Sequence, residues 1–193
     1  GDKSPFRVRS SSDCEFTVIS DTFVPATSSG LAEITDATRC EFNFKANAAS
    51  IGFIFVQGGE ANKISVKAKV PPGFDATAAN GNYGLVSFDS DGGFGAASTG
   101  TVVDLDIDAS GAGDLVFVRT RTSVTVNALT VTGRITEHNT ANTHTGVNFG
   151  GSTGCKNCGT INLLMFGVKT ALTDNGLNTS LHYCNNGVCT NTN

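Results

Sequence analysis

The sequence predicts an all-β protein held together by disulfides, and three observations carry that expectation. Only 16% of the 193 residues are charged, whereas glycine alone supplies 23 and threonine and asparagine are plentiful, a stock of strand and turn formers. Short apolar or alternating runs recur between glycine, asparagine, aspartate and proline, and no segment carries a clear helical period. The cysteines number 6, an even count in a chain poor in other reactive side chains, which points to an oxidising compartment. The expected architecture is an antiparallel sandwich or a stack of β-arches, disulfide-linked.

Taken in order, Asp13 to Ser20 alternates imperfectly, with Cys14, Phe16 and Val18 set against Glu15, Thr17 and Ile19. It reads as an extended segment and as a candidate donor strand for a neighbouring subunit. Cys40 to Lys45 places Cys40 on the same face as Phe42 and Phe44, where a buried cystine to Cys14 fits. Lys63 to Val70 alternates most clearly, Ile64, Val66, Ala68 and Val70 opposing Lys63, Ser65, Lys67 and Lys69, as a strand with one wet face does. Pro71 and Pro72 end it. In Thr101 to Asp108, Val103, Leu105 and Ile107 oppose Asp104, Asp106 and Asp108. Thr122 to Thr132 changes phase at Ala128-Leu129, where a β-bulge is expected. Two more continuously apolar runs, Ile51 to Val56 (Ile51, Phe53, Phe55) and Asp114 to Val118 (Leu115, Phe117), are expected to be covered on both faces, by the chain's own core or by a neighbouring subunit; with the apolar strand Ile161 to Val168 (Leu163, Leu164, Phe166) they are the candidate core or subunit-contact strands.

Beyond Gly133 the charges thin to Arg134, Glu137, Lys156, Lys169 and Asp174, and four of the six cysteines follow. The division expected is a main β domain over 1–132 and an Asn-, Thr- and Gly-rich, Cys-containing extension over 133–193, packed on it or on a neighbouring subunit.

A net charge of -4, with one local basic cluster at Lys63, Lys67 and Lys69, argues against nucleic acid as a partner. No apolar run reaches membrane-spanning length. The Gly1-Asp2-Lys3-Ser4-Pro5 start fits a mature terminus after leader removal, so the expected location is extracellular or at the cell surface.

Candidate chemistry is sparse. Cys155, Cys158, Cys184 and Cys189 have the spacing of a four-thiolate zinc site, but the compartment favours cystines joining the Cys155 turn to the Cys184 turn, or bridging subunits. Asp89 and Asp91, and Asp104, Asp106 and Asp108, are candidate ligands for a structural calcium ion, although neither cluster completes an EF-hand. The alternative is that the first pair forms a turn and the second set faces water. His138, His144 and His182 are expected to be exposed loop residues. Asn178 opens the Asn-Thr-Ser glycosylation sequon. HExxH and phosphate-loop patterns are missing, and so is tryptophan for a sugar platform. No enzyme is expected.

Few charges, abundant Gly, Thr, Asn and Val, repeated short strands and terminal cysteines together make the chain resemble extracellular structural subunits. Among these it is most similar in composition to the sheath proteins of methanogenic archaea, with β-rich pilus and surface-layer subunits as rivals. That resemblance implies stacked β-structure made resistant by cystines, which Cys155, Cys158, Cys184 and Cys189 would supply. The functional expectation is a subunit of an extracellular filament, sheath or surface lattice, polymerising with itself through β-strands. The alternative is a secreted β-sandwich that binds a glycan or surface ligand, supported by calcium.

Overall fold

The computed structural model describes residues 6–20, 31–46, 54–72, 84–88, 97–111, 115–120, 125–149, 159–174 and 180–192. Among them the chain forms strands and no helix. It winds in successive turns. β1 (Phe6–Arg9) leads to β2 (Glu15–Ser20), and β3 (Ala32–Thr35) leads to β4 (Glu41–Ala46). The next three turns each carry a short middle strand. These are β5 (Ile54–Gln57), β6 (Gly59–Glu60) and β7 (Lys63–Val70), then β8 (Gly84–Phe88), β9 (Ala97–Thr99) and β10 (Val102–Ala109), then β11 (Val116–Thr120), β12 (Thr125–Asn127) and β13 (Thr130–Glu137). β14 (Thr145–Phe149) leads to β15 (Thr160–Phe166), and β16 (Thr170–Asp174) to β17 (Ser180–Asn185), after which β18 (Val188–Thr192) folds back.

Strands one turn apart pair side by side. They build a 7-stranded sheet β1-β3-β5-β8-β11-β14-β16, an 8-stranded sheet β18-β17-β15-β13-β10-β7-β4-β2 and a 3-stranded sheet β12-β9-β6. Every described pair is parallel except β17 with β18. The all-β expectation holds; the antiparallel sandwich does not. Alternation in a sequence reports which side chains face inward, and it is the same for a parallel or an antiparallel neighbour, so the direction of pairing was not readable from it.

Inward positions stack in register between the two long sheets. Phe16, Phe42, Ile64, Val103, Val131, Ile161 and Leu181 form one such row. Val8, Ile34, Val56, Phe88, Thr120 and Phe149 form another on the facing sheet. Apart from buried Thr120, these residues form or pack against one contiguous apolar core. At about 4.8 Å per strand the stack extends roughly 30 Å.

The corner entering the 8-stranded sheet repeats a left-handed backbone conformation at Asp13, Arg39, Ala61, Gly100 and Ala128, each with φ between 50° and 66°. Main-chain bonds link these corners: Asp13 N–H donates to Thr38 O (3.0 Å), Arg39 to Glu60 O (2.8 Å), Ala61 to Thr99 O (2.8 Å) and Gly100 to Asn127 O (3.0 Å). The phase change at Ala128 is therefore this corner, not the expected bulge inside one strand. Buried Asn62 secures the corner from within, accepting the Cys40 N–H (3.0 Å) and donating to Ala37 O (2.7 Å).

Gly133 lies inside β13, and both long sheets continue beyond it to β16 and β17. The composition shift there coincides with no break in either sheet.

Candidate functional site

The outward face of the 8-stranded sheet presents its side chains in straight rows. One runs Thr17, Asn43, Ser65, Asp104, Thr132, Asn162, His182 and Asn191; the next runs Ile19, Lys45, Lys67, Asp106, Arg134, Leu164, Cys184 and Cys189. In-register stacking brings like charges together unless neighbouring strands change sign. Lys63 binds Glu41 (3.0 Å) and Lys67 binds Asp106 (2.7 Å), offsetting the adjacent Glu15–Glu41 and Lys45–Lys67 pairs. At the exposed corner Arg39 clasps Asp13 through two bonds (2.7 and 2.6 Å), which holds the Asp13 carboxyl below its ordinary range.

The face is divided in chemistry. From β2 to β10 it is charged, whereas the described outward residues of β15, β17 and β18 are hydroxyls, amides, His182, the cystine and the exposed Leu164 and Phe166. A shallow depression there is lined by Thr132, Asn162, Leu164, His182 and Asn191.

Of the candidate calcium ligands, Asp104, Asp106 and Asp108 occupy alternate outward positions along β10, in a line instead of around a point. Asp106 is taken by Lys67, and Asp108 by His138 (2.8 Å). No group of three or more metal-ligating side chains converges among the described residues. Asp89 and Asp91 lie outside the described residues, as do Cys155, Cys158, Asn178, Ile51 and Phe53.

Two cystines are in place. Cys14–Cys40 joins neighbouring turns at the corner described above, with Cα atoms 4.5 Å apart, so the inferred core staple is present. Cys184 bonds Cys189 across the β17–β18 hairpin. This corrects both the cystines expected between the Cys155 and Cys184 turns and the four-thiolate zinc alternative: the hairpin brings Cys184 directly opposite Cys189. Cross-link entropy rises with the loop closed. Serine at Cys14 and Cys40, whose separation is 26 residues, is therefore expected to cost about 3.5 kcal/mol, and at Cys184 and Cys189, separated by 5, about 2 kcal/mol, as read by urea denaturation.

The histidines divide. His138 is exposed as expected and His182 is exposed but lies on β17 instead of in a loop, whereas His144 is fully buried. Its Nδ1 lies 2.5 Å from Glu137 Oε2, its ring meets Phe117 edge-on, and its Nε2 has no partner among the described residues. Glu137 Oε1 accepts the Asn139 N–H (2.7 Å). Alternation through Val131, Ile135 and Glu137 was the missed signal, because it already placed this carboxylate on the inward side.

Leu115, Phe117 and Leu163 are buried in the chain's own core, Phe55 is half-buried, and Leu164 and Phe166 face outward. Asp13 to Ser20, read as a donor for another subunit, contains β2, which pairs within the chain to β4. Among the described residues β2 pairs with no other strand, and β1 pairs only with β3.

These features define a class: a disulfide-stapled parallel β-solenoid, with no described helix long and apolar enough to cross a membrane. No protein-family model, curated protein or solved structure matches the chain.

Proposed function

We propose that this chain is a non-enzymatic structural subunit of an extracellular filament, sheath or surface lattice, assembled with other copies through β-strand contacts. The observation that supports it is the end of the stack. β1 and β2 leave main-chain edges without a described strand partner, beside half-buried Phe6, Phe16 and Val18. An open edge above a partly covered apolar core is a template for another chain. Cystines between and within turns resist fraying of such a stack, and intrachain bonds suit an assembly held non-covalently. Light scattering of the full chain over a hundredfold range of concentration tests the reading: mass rising above that of one chain is expected, and a constant single-chain mass counts against it.

The uncharged half of the outer face favours a second reading, a secreted module for a neutral glycan. Hydroxyls and amides at Thr132, Asn162 and Asn191, beside exposed Leu164 and Phe166, have the chemistry to meet sugar hydroxyls and C–H faces. Calorimetry against neutral polysaccharides separates the two readings, since only this one requires heat of binding.

A further inference from the structure

We infer that the open edge of β2 is a self-complementary contact, through which two copies join with their β2 strands antiparallel across a two-fold axis. The inference rests on the assembly reading and specifies its contact.

The hydrogen-bond pattern identifies the available groups. Glu41 N–H donates to Cys14 O, so Cys14, Phe16 and Val18 direct their main-chain groups toward β4. A residue's N–H and C=O point the same way in a strand, and direction alternates. Glu15, Thr17 and Ile19 consequently direct theirs to the open side.

A two-fold axis at Thr17 sets Thr17 opposite Thr17 of the partner subunit, and Glu15 opposite Ile19 of the partner subunit. Each is a hydrogen-bonded antiparallel pair, exchanging both main-chain bonds. No like charges meet. On the inner face Phe16 comes opposite Val18 of the partner subunit, so half-buried apolar side chains continue the core across the axis. Phe6 supports this surface from beneath, 5.5 Å from Phe16 ring to ring. Ile19, 62% exposed, is the most exposed large apolar side chain of this end.

The other end of the same sheet is built differently. β18 runs antiparallel to β17, is tied to it by Cys184–Cys189, and shows a mostly exposed pattern with no inward apolar row to continue. β2 is thus the end at which pairing also buries apolar surface. Because an isologous contact closes on itself, growth into a filament or lattice takes a second contact elsewhere.

Three variants of the full chain test the inference. Thr17→Pro removes an N–H that makes no bond to β4 and should raise the dimer dissociation constant about 100-fold or more. Ile19→Lys, facing Glu15 of the partner subunit, should tighten the dimer several-fold, and Ile19→Glu should weaken it. Both Ile19 variants change an exposed side chain, so folding is not at stake. Light scattering should give twice the single-chain mass for the parent, and hydrogen exchange at Glu15, Thr17 and Ile19 should slow as concentration rises. An assembly indifferent to all three variants overturns the β2 contact and leaves the assembly reading standing. Equal effects of the two Ile19 variants overturn the Thr17-centred register. A single-chain mass at every concentration overturns both proposals.

Discussion

Alanine at Gly133 is expected to destabilise the chain by about 3 kcal/mol or more, measured by urea denaturation. Gly133 sits within β13 at φ 109°, a conformation closed to residues with a Cβ. An added Cβ would lie 2.0 Å from Leu105 O and 2.7 Å from Leu105 N. Those atoms belong to β10, the strand paired to β13 on one side, so relief means parting a ladder at the middle of the sheet. β15 holds the other side. Gly187, also at positive φ (79°), is the control: nothing lies within 4 Å of its would-be Cβ. Alanine there is expected to cost about 1 kcal/mol, the conformational part alone. Equal costs at the two positions would mean that β10 and β13 are not paired as described.

Replacing Glu137 by leucine is expected to cost about 3 kcal/mol, because it strands a fully buried ring nitrogen and a part-buried main-chain N–H at once. His144 Nδ1 and the Asn139 N–H both lose their carboxylate oxygens. His144 Nε2 already has no partner among the described residues, so the ring would be left without a described polar contact in the core. Water cannot substitute readily, since both side chains are fully buried. A second substitution, His144→Phe, removes the orphaned ring and should return part of the loss, giving a double-mutant cycle that is clearly non-additive. His138→Ala is the comparison one residue from Glu137. It breaks a pair with Asp108 in which both side chains are more than half exposed, and the expected change is under about 0.5 kcal/mol.

What the sequence allowed and what it hid follow from the same geometry. Lys63–Val70 and Val102–Ala109 were legible as strands with one wet face, because period-two alternation depends only on burial on one side. Thr160–Phe166 was legible as an apolar strand, but its exposed Leu164 and Phe166 hid the wet face. The Cys14–Cys40 staple was legible because Cys40 shares a face with Phe42 and Phe44. Parallel winding was hidden. Its repeating corner falls at Asp13, Arg39, Ala61, Gly100 and Ala128, which have no one residue type in common and follow no fixed interval. Connections of varying length between the sheets conceal the repeat from any search by period. Two of those corner residues are alanine and one is arginine, so the usual glycine mark of a left-handed position is present only at Gly100. The Cys184–Cys189 pair was hidden for another reason: a five-residue hairpin and a four-cysteine cluster place the same cysteines at the same spacing.

The open edge of β2 was partly legible. Its alternation was visible in Cys14, Phe16 and Val18, and its irregular outer face was read as a strand meant for another subunit. The fold changes that reading. β2 is already the first strand of its own sheet and presents only one remaining edge.

The most direct test of the structural role is electron microscopy of the native material. An ordered filament, sheath or lattice, with diffraction near the 4.8 Å strand spacing along the stacking direction, is the result expected. Dispersed single chains of uniform size, at the concentration found in the native setting, would contradict it.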